Sequence, residues 1–237
     1  MNGAALAAKY ALPPNALGYC GSGEFRGALK SGSQAVLEKE LKKFKVHYAY
    51  LSLIARENGL GPFDLRVVRA FWTGNRLLEN VSRAALRAFI RKELFGGRKG
   101  SRAEALARNL PEGILPHHSF NSLYVNFVTG KVAPSVRNLD SCCITWGEVL
   151  SAGKNSATLR RACITWDGGF ALEEKDERVA LSRAGVSMVQ GAKKGDFLAV
   201  HWGVAVEKLT DASLRKLERY TRANIDAING GVSECPI

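Results

Sequence analysis

Ser141-Cys142-Cys143-Ile144-Thr145-Trp146-Gly147 is the stretch on which the reading of this chain turns. It carries two of the five cysteines side by side. Before it, apolar residues recur at helical spacing. After it, β-branched and alternating residues dominate, in Cys143 to Trp146, Ala157-Thr158-Leu159, Ala162 to Trp166 and Phe197 to Val200. Gly153-Lys154-Asn155, Asp167-Gly168-Gly169 and Lys193-Lys194-Gly195-Asp196 read as turns between these runs. Short strands at this spacing predict a small β-barrel. The tetrapeptide Cys-Ile-Thr-Trp occurs twice, at 143–146 and 163–166, which either an internal duplication or paired strands with similar needs would explain. Leu214, Leu217 and Tyr220 then give residues 210–228 the apolar side of a closing helix.

Upstream, Pro13-Pro14 predicts that residues 1–32 are mostly loop, because proline lacks the N–H that a helix or strand needs. Glycines flank Cys20 and let the backbone come close to whatever that thiol faces. Leu37, Leu41, Phe44, Tyr48, Leu51 and Ala55 share one face of a helix over 33–58, with Gly59 as its C-terminal stop. His47 lies near that stripe and reads as a packed histidine. Asp64 and Ser82 are expected N-caps of the next two helices. Gly96 to Arg102 reads as a basic, solvated turn, and a short helix over 102–109 follows. Phe120, Leu123, Tyr124 and Phe127 share a further helical face. His117 and His118 stand at its N-terminus, where neutral, metal-ready imidazole is favoured. Adjacent side chains diverge, so one of the two can join a site with Cys20 but not both. The expected class is α+β, with a helical domain over 1–138, a small β-barrel over 139–209, and a C-terminal helix and tail over 210–237.

Hydrophobic residues make up 46% of 237, enough for one large domain or two small ones. No apolar run approaches the roughly 18–20 residues that cross a bilayer. The run Ala4 to Ala8 is too short for a signal-peptide core, so a cytoplasmic protein without a membrane partner is expected. An odd number of cysteines without a regular framework argues for reduced thiols. The balance of 34 basic against 22 acidic residues leaves a net charge of +12, which favours an anionic partner.

Cys142 and Cys143, read as neighbours in an extended segment, point to opposite faces, so one thiol is presented and the other buried. His201 is the one histidine after the cysteine pair. A thiolate beside an imidazole is a soft-plus-borderline donor pair that suits iron, zinc or copper. It also resembles a Cys/His nucleophile, although no third catalytic partner stands out. A closed structural zinc site needs about four ligands, so an open site is expected. Cys142 and His201 are therefore read as parts of one site, with Cys20, His117 and His118 as possible additional ligands.

Residues 140–228 resemble the small [NiFe]-hydrogenase maturation chaperones of the HypC/HupF type. That family opens with a cysteine five residues before a glycine, the spacing of Cys142 and Gly147. Its later signature is matched by Gly195-Asp196, Val200-His201-Trp202-Gly203-Val204-Ala205 and Glu207-Lys208-Leu209. The resemblance implies an OB-like barrel and a carrier or chaperone for an iron centre with cyanide and carbon monoxide ligands. It also implies docking on the hydrogenase large subunit or a HypD-like maturation protein. Cys142 would then be the iron- or partner-contacting thiolate, His201 its companion, and Trp146, Gly147, Trp202 and Gly203 the docking residues. Three features depart from that family: Cys142 is internal, Trp146 replaces a proline, and the segment from Gly147 to Gly195 is longer. The whole chain is also similar to a bacterial family without an assigned function that carries the pattern Tyr-x-x-Pro-Pro-Asn-x-Leu-Gly-Tyr-Cys-Gly, here Tyr10 to Gly21. The expectation is an accessory protein and not a turnover enzyme. The alternatives are a nucleic-acid-binding module on the basic surface, against which the basic residues are dispersed, or a thiol/redox protein built on Cys142.

Overall fold

The computed structural model describes residues 2–94, 101–129, 133 and 135–231. It corrects the reading of the N-terminus at once. Residues Gly3–Ala16 form a helix, α1, that runs through Pro13 and Pro14. Asn2 caps it by accepting from Ala5 N–H at 2.8 Å. Leu6, Ala7, Ala8, Tyr10 and Leu12 are all inaccessible, so the run that opens the chain is a core helix buried on several sides. The prolines fall in its last turns, where the fixed proline φ still suits a helix. What they remove is the N–H groups that would bond the carbonyls of Lys9 and Tyr10.

The helices α2 (Phe25–Ser31), α3 (Gln34–Leu41), α4 (Lys45–Glu57), α5 (Leu65–Thr73), α6 (Arg83–Phe89) and α7 (Ser101–Arg108) follow. The helix expected over 33–58 is two, α3 and α4, separated by a turn at residues 42–44. Both parts keep the apolar stripe: Leu37, Leu41, Leu51 and Ala55 are buried. Gly59 takes φ +63° where α4 stops, the left-handed conformation that glycine adopts without a Cβ penalty. Asp64 accepts from Arg66 N–H and Ser82 from Ala85 N–H, as N-caps should. Most of the Gly96 to Arg102 loop lies outside the described residues.

A π-helical turn, Phe120–Val125, leads into α8 (Asn126–Thr129). Its mark is Asn126 N–H bonding Asn121 C=O, five residues back. Helix α9 (Val136–Cys142) then follows. Cys142 is its last residue and Cys143 its C-cap, so the pair ends a helix and does not lie in a strand.

The strands are β1 (Thr145–Ala152), β2 (Ser156–Trp166), β3 (Phe170–Ala180), β4 (Ser182–Arg183), β5 (Val186–Ser187), β6 (Phe197–His201) and β7 (Val204–Leu209). Five of them form a mixed sheet in the order β1-β2-β3-β7-β6, and β6 also pairs with β1, so the circuit returns on itself. Its antiparallel pairs include Gly147 with Arg161 and Cys163 with Glu173. The link from β3 to β7 is the parallel pair Ala180 with Val204. The two Cys-Ile-Thr-Trp copies are not register partners. One ends α9 and opens β1, and the other lies in β2 opposite β3. Gly147 is needed in β1, because a Cβ there would stand 2.9 Å from the backbone oxygen of Arg160.

Helix α10 (Asp211–Gly231) closes the described chain. It docks through the buried side chain of Asn224, which bonds both backbone groups of Leu115 and the hydroxyl of Ser119. The helical part and the sheet share one buried cluster that runs from Ala4 and Tyr10 through Trp72, Leu139 and Trp146 to Ile228. Tyr10 and Arg69 reach across to the same carboxylate, Glu207 of β7. No described helix is long and apolar enough to cross a membrane.

Candidate functional site

The two prolines of α1 acquire a purpose at His201. Without a Pro14 N–H, the Tyr10 carbonyl has no helical donor, and His201 Nδ1 lies 2.7 Å from it. A carbonyl only accepts, so Nδ1 carries the proton and Nε2 keeps its lone pair. That Nε2 is buried and has no hydrogen-bond partner. Position as well as tautomer is set at the end of β6. His201 is followed by Trp202-Gly203, a two-residue hairpin with φ of +51° and +70°, as a type I′ turn requires. Trp202 N–H bonds Ser141 C=O at 2.8 Å, which ties the hairpin to the end of α9.

Cys142 comes to the same place from α9. Asp140 holds that helix on β2, accepting from Arg161 through both guanidinium Nη atoms and from Ile164 N–H at 2.6 Å. Cys142 is only 8% exposed. Its sulfur lies 3.6 Å from Ser122 Oγ and 3.7 Å from Asn126 Nδ2. Burial pushes the thiol up to about 12, against the smaller opposing effect of these two hydrogen bonds, and Cys20 is among the groups that add to the rise.

His118 completes the set. Its Nδ1 lies 3.1 Å from Ser122 Oγ, and that hydroxyl also reaches the carbonyls of His118 and Cys142 at 3.1 and 3.2 Å. Ser122 has one proton, and the carbonyls demand it, so Nδ1–H of His118 donates to Ser122 and Nε2 keeps its lone pair. One ligand atom each from His118, Cys142 and His201 lie within 4.8 Å of one another. Trp72 stacks on His118 at 4.6 Å between ring centroids and lies 5.7 Å from His201, forming an apolar wall.

Both imidazoles are neutral. Burial lowers His201 to about 4, although the nearby backbone carbonyls of Tyr10 and Cys142 favour its charged form. Burial also takes His118 well below the ordinary histidine value, helped by repulsion from His201, His117 and His47. Neutral imidazoles fixed by partners on their other nitrogen are the form that binds transition metals. These three donors could hold a metal ion.

The other sequence candidates divide. His117 points away, toward α10: its Nδ1 meets Ser119 Oγ at 2.8 Å and its ring lies 6.4 Å from Tyr220. Cys20 lines the same pocket but is outside the close triad. Cys143 and Cys163 are buried thiols of the core. Trp146 is 7% exposed and Gly147 sits within the strand pairing, so neither presents a surface to a partner. Trp202 is half-buried under Tyr19, with ring centroids 4.5 Å apart, and Gly203 is exposed. Sequence reasoning missed Ser122, Asn126 and Tyr10 as supporting residues. A signal existed for two of them, since His118, Ser122 and Asn126 follow at steps of four.

The triad forms part of the lining of a pocket of about 400 Å³. Phe44, His47, Leu94, Asn121, Lys45 and Trp202 are among the residues that line it. The class defined by these features is an α+β protein with a buried His/Cys/His donor set beside a pocket. The chain belongs to DUF6390, a family of unknown function, whose model matches residues 1–234. No curated protein and no solved structure matches the chain, so the likeness of residues 140–228 to the maturation chaperones finds no support there.

Proposed function

We propose that this protein is a metal-binding accessory protein that holds one transition-metal ion through His118, Cys142 and His201, with a further coordination position facing the pocket. The observation that carries the reading is the convergence of three donors from separate parts of the chain. Two imidazoles and a thiolate suit zinc, copper or iron. Tetrahedral bonds of about 2.0–2.3 Å put donor atoms roughly 3.3–3.8 Å apart, so a set spread over at most 4.8 Å draws in slightly on loading. The thiol is protonated in the metal-free protein, so loading releases the Cys142 proton and affinity rises with pH. Asn126 then donates to the thiolate, while Tyr10 C=O and Ser122 orient the imidazoles.

The narrower reading is that of a hydrogenase maturation protein. It carries an iron centre with cyanide and carbon monoxide ligands and docks on the large subunit or a HypD-like protein, with the ring of five strands as its small barrel. It draws on the Cys142–Gly147 spacing and the Val200 to Ala205 motif. The test is anaerobic purification in reductant, followed by metal analysis and infrared spectroscopy. One equivalent of metal, lost in Cys142→Ala and His201→Ala, is expected. Bound cyanide or carbon monoxide bands would select the narrower reading. A folded protein that takes up no zinc, copper(I) or iron(II) under these conditions would sink the proposal.

A further inference from the structure

The lining of the pocket also carries features that metal binding alone does not use. Helix α4 begins there, with Phe44, Lys45, Val46 and His47 all lining the pocket. No side chain caps this helix. Lys45 N–H bonds Lys43 C=O at 3.0 Å, but the N–H groups of Val46 and His47 make no hydrogen bond among the described residues. The first turn of a thirteen-residue helix therefore offers donors and the positive end of its dipole to the pocket.

A second observation points to a ligand. His47 is 9% exposed and both ring nitrogens are buried without a partner. Among Phe44, Phe71 and Trp72 it is a neutral imidazole, lowered to about 3 by burial and, secondarily, by His201. A buried polar group left unpartnered costs about 1–3 kcal/mol, and one that lines a pocket can be satisfied by what enters it. Asn121 Oδ1, on the same pocket, is likewise buried and unpartnered. Lys45 is exposed and, among the described residues, forms no ion pair. Lys43 is different, being held by Glu24 and Glu40 at 2.8 and 2.7 Å.

We infer that the pocket binds a small organic carboxylate. Its carboxylate sits at the start of α4 against the Val46 and His47 N–H groups and Lys45, and its apolar body lies among Phe44, Leu94 and Trp72. The volume of about 400 Å³ is at the small end of ligand pockets and too large for a bare anion. The apolar lining selects against inorganic phosphate, which has no body to bury. His47 and Asn121 supply unpartnered polar groups on the same lining for such a ligand to satisfy. The inference rests on the metal reading in one respect: a donor atom at the far end of the molecule would fill the free coordination position.

The test uses the full chain and phenylacetate as the probe, with phenylacetamide as its neutral counterpart and inorganic phosphate as the bare anion. Calorimetry or ligand-observed NMR on metal-free protein reads the anion contact alone. Phenylacetate is expected to bind at least tenfold more tightly than phenylacetamide or phosphate. Lys45→Glu should weaken phenylacetate at least tenfold. That change places an acid at a helix N-terminus, where it favours the helix, so a loss would not come from unfolding. Cobalt(II) loading, followed by its visible bands, should be unchanged in Lys45→Glu. Equal binding of phenylacetate and the amide, phosphate binding as tight as phenylacetate, or an unaffected Lys45→Glu would each overturn the inference. Failure of cobalt(II) to load, with phenylacetate still bound, would count against the metal site and leave the carboxylate site standing.

Discussion

Asp140→Ala is the perturbation that most directly separates the scaffold of the site from its donors. Arg161 is 4% exposed. Its guanidinium meets Asp140 at 3.1 and 2.5 Å, Thr145 Oγ1 at 2.7 Å and Glu177 at 2.7 Å. Glu177 is 45% exposed at its side chain, so the buried half of the charge compensation comes from Asp140. Removing one partner of a buried pair costs about 3–5 kcal/mol, because the other charge stays buried. The Ile164 N–H also loses its acceptor, a further penalty of about 1–3 kcal/mol if water cannot reach it. Glu177 retains part of the compensation and the terms are not additive, so the expected net loss is about 3–5 kcal/mol. In urea unfolding at pH 7.5, with a slope of about 1–3 kcal/mol per molar, the midpoint should fall by more than 1 M. Asp140→Asn keeps an acceptor for Ile164 and should lose less. The double change Asp140→Leu with Arg161→Met removes both charges and should recover most of the stability. A single variant within 1 kcal/mol of the parent, or a double variant no better than the single, would refute the argument.

Further outcomes follow from the same structure. Burial takes His47 and His117 to about 3 and His201 to about 4, so the unfolded chain binds more protons below its ordinary value of about 6.5. Stability is then complete above that value and falls with pH between it and the folded values. The loss is about 2 kcal/mol per histidine at pH 5, and a urea midpoint that does not move between pH 7.5 and 5 would contradict it. Gly147→Ala should lower the melting temperature, with a cost of about 1–3 kcal/mol from the clash with Arg160 C=O, and a calorimetric scan checks this. Pro14→Ala returns a helical donor to Tyr10 C=O and makes it compete with His201 Nδ1–H. Metal affinity, read by competition with a chromophoric chelator, should drop about 10-fold although the helix itself is improved, and unchanged affinity would remove the role given to that carbonyl.

Much of the helical part was legible where a local rule decides alone. The caps at Asp64 and Ser82 and the glycine stop at residue 59 depend on neighbours in sequence. The stripe over 33–58 predicted burial correctly but not the break at 42–44, because a turn between two helices can preserve the same periodicity. Strand β3 was invisible: from Phe170 to Ala180 it carries Glu173, Glu174, Lys175, Asp176, Glu177 and Arg178, and all six are exposed. Its strand character comes from continuous pairing with β2, a long-range fact. At the site, Cys142 and His201 could be named together, whereas the choice of His118 over His117 could not. That choice depends on Ser122 and Ser119 each taking one imidazole, the first facing Cys142 and the second facing Asn224 of α10.

The prolines show why the rest was not legible. Read locally, Pro13-Pro14 costs about 3 kcal/mol in a helix interior and argues for a loop. In the fold both prolines are buried, and the helix they interrupt packs beside α5 and the sheet. The carbonyl that the second one strands is the acceptor that sets the His201 tautomer. A local defect has thus become a long-range hydrogen bond across 191 residues of sequence. The same logic applies to Trp202, whose left-handed backbone costs about 1–2 kcal/mol in isolation. That conformation lets β6 end at His201 and return at once as β7, with Trp202 N–H tied to Ser141 beside Cys142. Both irregularities hold a donor of the triad from outside its own segment. The places where local rules fail in this chain are therefore the places that assemble the site.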